Sequence, residues 1–247
     1  MRPVTKQLQL FSTFFFKNSL EISDNFTKFV CINRDDMKNE FLRIIWHKKL
    51  SPYTEGMSGL VSATYDELIK HYTTNRRYYH NLNHVVDLLN QLKKYEFQIN
   101  DWESVYLSIW FHDSVYVPNK PGNEEKSADL ARKFLNQTRY PPARIEKVVE
   151  YILATQNHEA PEDASLDFQY FLDFDLSILG SEETIYDTYS KQIRDEYFLY
   201  PNFMYNRGRK KVLQQFLDKP FIFKTDDYRA KFEDKARENL QRELARL

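Results

Sequence analysis

The sequence predicts an all-α protein, and three observations carry that expectation. Glycine occurs only five times in 247 residues, at Gly56, Gly59, Gly122, Gly180 and Gly208, whereas sheets joined by tight turns draw heavily on it. No segment shows sustained period-two alternation between turn signals. Apolar residues instead recur at helical spacing almost throughout.

Taken in order, Phe41, Leu42, Ile44 and Ile45 begin the helical pattern, and Leu60, Ala63, Tyr65, Leu68 and Ile69 continue it after Gly59. His84, Val85, Leu88, Leu89 and Leu92 fall on one buried helical face. Trp102, Val105, Tyr106, Ile109, Trp110 and Asp113 repeat that pattern. Asn123 followed by Glu124 and Glu125 reads as a helix start, with a capping amide and acids in the first turn. Pro141-Pro142 opens a helix whose inner face carries Ile145, Val148, Val149 and Ile152. Leu166 to Leu179 reads as a buried segment stopped by Gly180, and Ser181 with Glu182 and Glu183 begins the next helix. Tyr205 to Leu217 and Tyr228 to Leu247 are the last two expected helices.

No repeat or low-complexity linker divides the chain. Residues 37–247 read as one continuous helical domain, and residues 1–36, of mixed polar character, as a peripheral, partly disordered extension. A net charge of −1 argues against nucleic-acid or anionic-membrane binding through bulk electrostatics. Cys31 is alone, so no internal disulfide forms and a reducing compartment is expected. No apolar run approaches the roughly 18 residues of a membrane span. The stretch around Phe11 to Phe16 lacks the apolar region and cleavage site of a signal peptide. A cytoplasmic protein is expected.

Three segments stand out chemically: Tyr79-His80-Asn81-Leu82-Asn83-His84, Phe111-His112-Asp113, and Asp173-Phe174-Asp175-Leu176-Ser177. A lone His84 on an apolar helical face is more often a hydrogen-bonded core histidine than a ligand. His112-Asp113 changes that weighing, because it places an imidazole and a carboxylate together at a hydrophobic helix end. A buried carboxylate without a partner is costly. A divalent cation meets the need of Asp113 and takes both histidines as ligands. This donor set suits Mn, Fe, Co, Ni or Zn better than Ca, with Mg a further candidate. Asp173 and Asp175 sit in an apolar run and diverge by roughly 200° on a helix, so one of them faces the site; spacing does not choose between them.

The order His, His-Asp, Asp on successive helices resembles the HD superfamily of metal-dependent phosphohydrolases. The segments Arg77 to His84, Trp110 to Asp113, Asn123 to Ala128 and Leu172 to Gly180 look more closely like its predicted HD-type phosphohydrolases, over a span from about Phe41 to the C-terminus. Tyr79-His80-Asn81-x-x-His84-x-x-Asp87-Leu88 is also similar to the first motif of the cyclic-nucleotide phosphodiesterases. That resemblance implies that His84, His112, Asp113 and Asp175 hold the metal, with Asp173 either supporting a ligand from behind or structural. It implies that His80 protonates the leaving oxygen and that Asp113 helps orient the attacking water. His80 packed structurally among tyrosines is the competing reading. The resemblance has a limit, because Tyr116 stands where the phosphodiesterases carry a further histidine and no purine clamp is visible. Hydrolysis of cyclic nucleotides is not implied.

The HD resemblance also marks Glu124 as an acid near the attacking water or substrate; helix-dipole stabilisation is the other reading. His158 is either a second metal or substrate ligand or a helix-terminal histidine. Arg77 and Lys126 are candidate receivers of phosphate oxygens, with Arg194 and Arg209 weaker and surface charge as their bland alternative. His47 and His71 have no supporting context. The expected reaction is metal-dependent hydrolysis of a phosphate ester, a nucleotide or another small phosphorylated metabolite. The alternatives are a metal-containing ligand-binding module without turnover, and a helical scaffold closed by a polar network.

Overall fold

The computed structural model describes residues 34–118 and 120–247. Among them lie ten α-helices, two short 3-10 turns and no strand, so the all-α expectation holds. The helices are α1 (Arg34–Leu50), α2 (Ser58–Tyr72), α3 (Leu82–Lys94), α4 (Trp102–Phe111), α5 (Asn123–Leu135), α6 (Pro142–Ala154), α7 (Leu166–Leu176), α8 (Glu183–Glu196), α9 (Asn202–Leu217) and α10 (Asp226–Arg246). Of the N-terminal extension expected over residues 1–36, residues 1–33 lie outside the described residues, and Arg34 already begins α1. The chain divides between Ile45 and Trp46 into two compact units. The described part of the first is the opening of α1; the second, Trp46–Leu247, carries the site.

Helix α4 is the centre of the second unit. Every residue from Ser104 to Phe111 is buried, and α4 packs against α3, α5, α6 and α7. A helix apolar all round has to be enclosed in this way. Trp46, Tyr65 and Phe134 surround its inner end, with Trp46 5.6 Å from Trp110 and 5.7 Å from Phe134 between ring centroids. Burying each such ring stabilises the fold by about 1.5–3 kcal/mol. The other end is capped by Asp101, which accepts from Ser104 N at 3.1 Å. Burial works against the Asp101 charge, but Arg144, Lys147 and Ser104 outweigh it and hold the carboxyl at about 2.

α4 stops at Phe111 rather than running to Asp113. His112 is its C-cap, and Tyr72 Oη donates to the Trp110 carbonyl at 3.1 Å. The Arg77 guanidinium then donates to the carbonyls of Asp113 at 2.6 Å and Ser114 at 3.0 Å. These donors take carbonyls that no further helical turn satisfies. His112 and Asp113 therefore leave the helix as a turn held on two sides.

Other boundaries also differ from expectation. Gly122, at φ +81, is the N-cap of α5, while the Asn123 amide instead brackets Val117, accepting from its N and donating to its O at 3.1 Å each. Ser181 does not cap α8, which begins at Glu183 behind Glu182. Helix α9 starts earlier than expected, at Asn202 behind Pro201. After α7 the chain tightens into a 3-10 turn, Ser177–Gly180, that packs against α10. A Cβ at Gly180 would lie 2.6 Å from Phe232 Cβ and 2.8 Å from its carbonyl oxygen, so only glycine permits this approach. No helix among the described residues is long and apolar enough to cross a membrane.

Candidate metal centre

Asn81 starts α3 by accepting from Asn83 N at 2.8 Å, which sets His84 on the buried face with Val85, Leu88 and Leu92. The C-cap of α4 delivers His112, and the last turn of α7 delivers Asp175. These three residues each place a ligand atom within 4.8 Å of the others. His84 Nε2 lies 3.2 Å from His112 Nε2 and 3.1 Å from Asp175 Oδ1. Asp113 Oδ2 adjoins them, 3.2 Å from His112 Nε2 and 3.8 Å from His84 Nε2. Donor atoms sharing one ion at about 2.1 Å stand roughly 3.0–3.4 Å apart when adjacent. The spacing of His84, His112 and Asp175 fits one ion, whereas Asp113, expected as a fourth ligand, adjoins the two histidines but stands outside that mutually close group.

The hydrogen-bond chemistry points the same way. His112 Nδ1 lies 2.9 Å from the Ile109 carbonyl, which can only accept, so Nδ1 carries the proton. Nε2 of the neutral ring then presents its lone pair to the centre, as a metal-ligating histidine does. Two carboxylate oxygens and a second imidazole nitrogen converge on the same space. Such a set needs a cation or additional protons. With protons alone, burial opposes charging His112, but the Asp113 carboxylate and then Asp175 outweigh it and push the ring up to about 9. Burial likewise opposes the ionised acids. His112 and His80 outweigh it at Asp113, and His158 and His84 at Asp175, so both carboxyls are held well below the usual range.

Asp173 and Asp175 face opposite tasks, as their angular separation on α7 demands. Asp173 is fully buried and accepts from Lys224 N at 2.6 Å, Thr225 N at 2.8 Å and Thr225 Oγ1 at 2.6 Å. It ties the entry of α10 to α7. Burial pushes its carboxyl up to about 6 despite these donors.

His80 lies in the turn before α3, and Glu196, the last residue of α8, holds it. Glu196 Oε1 accepts from the main-chain N of Tyr79 at 2.8 Å and of His80 at 2.9 Å. Oε2 lies 2.6 Å from His80 Nδ1 and accepts from Tyr116 Oη at 3.0 Å. The Tyr116 ring stacks on His80 at 4.1 Å. Burial opposes the His80 charge, but Asp113 first and Glu196 next outweigh it, so the ring is more basic than usual. Burial also opposes the Glu196 charge, and the His80 hydrogen bond outweighs it and lowers its carboxyl. Sequence reasoning missed Glu196, yet it falls on the buried face of α8 with Tyr186, Tyr189 and Ile193. An acid on an apolar stripe was the available signal.

The remaining expected residues divide. His158 Nε2 lies 2.8 Å from Asp175 Oδ2, on the oxygen turned away from His84. Arg77 does not receive an outside anion as placed: Nη1 and Nη2 are engaged with the carbonyls of His80, Asp113 and Ser114. Glu124 is half-buried and Lys126 exposed on the first turns of α5, tied to the post-Asp113 segment through Asn123 and Ser127. Neither is joined to the cluster by a hydrogen bond or ion pair among the described residues. Arg194 binds the carbonyls of Tyr197 and Tyr200, and Arg209 is buried in an ion pair with Glu243. Both are structural rather than phosphate receivers. His47 Nε2 meets Ser62 Oγ at 3.2 Å, and His71 Nδ1 is buried without a partner.

No protein-family model, curated protein or solved structure matches this chain.

Proposed function

We propose that the protein is a metal-dependent hydrolase of phosphate esters, acting on a nucleotide or another small phosphorylated metabolite in a cytoplasmic setting. The observation that carries this reading is the convergence of His84 Nε2, His112 Nε2 and Asp175 Oδ1 at single-ion spacing, with Asp113 Oδ2 adjoining the two histidines and His80 close by. The HD-type motif order adds support. A divalent ion held there would supply the Lewis acidity that polarises a phosphoryl oxygen and acidifies water. Mn, Fe, Co, Ni or Zn suits the donors, with Mg a further candidate.

The chain's own residues do the rest. Glu196, ionised, accepts from His80 Nδ1 and so leaves Nε2 as the nitrogen that exchanges a proton. The ionised Glu196 partner favours the protonated ring, which can deliver its Nε2 proton to the departing oxygen. Asp113, partly open to solvent, orients the water for attack.

A panel of phosphomonoesters and phosphodiesters assayed with Mn, Co, Ni, Zn or Mg tests the reading. Turnover that requires one of these ions is expected. A protein that binds no metal would instead be a helical scaffold closed by a polar network, and a metal-bound protein that turns over none of the panel a binding or regulatory module.

A further inference from the structure

His158 stands in an unusual backbone position. Its N–H donates to the Ala154 carbonyl at 2.8 Å just past α6, and its φ is +52. Chains leaving a helix in this left-handed region normally carry glycine or asparagine there. A larger residue persists where its surroundings fix it. Two contacts hold His158 in place. Its Nε2 meets Asp175 Oδ2 at 2.8 Å, and its ring lies 6.0 Å from the Phe216 ring.

We propose that His158 is a positioning residue for a one-ion site: it donates from Nε2 to Asp175 Oδ2 and aims Oδ1 at the ion, and it ligates no second ion. This rests on the reading of His84, His112, Asp113 and Asp175 as an ion site. An ionised Asp175 only accepts, so the contact places the proton on His158 Nε2 and removes that lone pair from ligation. A second ion on this side would also lack ligands. Among the described residues, His84, His112 and Asp175 form the one group of three or more side chains spaced to share an ion. The Lys219 ammonium sits nearby instead, donating to the Asn157 carbonyl at 2.9 Å and lying 3.7 Å from Glu159.

Calorimetric titration of Mn2+ into the metal-free full chain, as wild type, His158→Gly and His158→Gln, tests the proposal. One ion per chain is expected. His158→Gly should weaken binding by about 10–100-fold, with a melt of the metal-free variant confirming that it is folded. His158→Gln keeps an N–H donor near the same place and should bind within about threefold of wild type. Two ions per chain, with the second lost in His158→Gln, would overturn it. So would one ion bound equally by all three proteins, with the ion-site reading left standing. A wild type that takes up no Mn2+ overturns both.

Discussion

Glu196 Oε2 and His80 Nδ1 stand 2.6 Å apart across 116 residues of sequence, and the same carboxylate holds two main-chain N–H groups at the start of the His80 segment. The pair fixes both the position of the imidazole and which nitrogen stays available. Removing the ring by His80→Ala should lower kcat by about 10²–10⁴-fold with Mn2+ affinity unchanged. Glu196→Gln keeps acceptors for the main-chain donors but places an N–H₂ group against Nδ1–H or reverses the tautomer. It should lower kcat by at least about tenfold, again with unchanged metal binding. A loss of metal in either variant would put these residues in the ion's ligand set instead.

Metal binding should strengthen as pH rises. In the metal-free protein His112 keeps a proton up to about 9, and an ion has to displace it. Apparent Mn2+ affinity should therefore rise by about tenfold per pH unit up to about 9 and level above it. The stability of the metal-free protein runs the other way. The raised folded pKa stabilises fully below the unfolded value near 6.5, and that contribution is lost as pH rises through about 9. Paired titrations and melts of metal-free protein across pH 6–10 check both slopes.

Asp173 and Asp175 should separate cleanly by measurement. Asp173→Ala strands the main-chain donors of Lys224 and Thr225 and should cost about 3 kcal/mol of stability, while Mn2+ still binds. Asp175→Ala should abolish Mn2+ binding. Melting curves and metal titration of the two variants distinguish a fold role from a ligand role.

Much of this arrangement was legible in sequence because helical periodicity reports burial. His84 on an apolar face and two acids inside Phe171 to Leu179 signalled polar groups that need partners. Their meeting was not legible, since it depends on α4 being cut short by donors from Tyr72 and Arg77, one of them 36 residues away from its acceptor. Arg77 read as a surface or phosphate-binding charge because nothing local shows that its partners are carbonyls. Glu196 was hidden by its neighbours Arg194 and Asp195, which make the end of α8 look solvated. Tyr116 entered the sequence reading only as a missing histidine, whereas its ring and hydroxyl complete the His80 pocket.

The ion itself is the point on which everything turns. Elemental analysis of the full chain purified without added metal, with Asp113→Ala alongside, addresses it most directly. The expected result is close to one equivalent of a transition metal per wild-type chain, and loss of both that metal and phosphatase turnover in the variant. Wild-type protein that carries no metal and acquires none on dialysis against Mn2+, or an Asp113→Ala variant that keeps turnover, would contradict it.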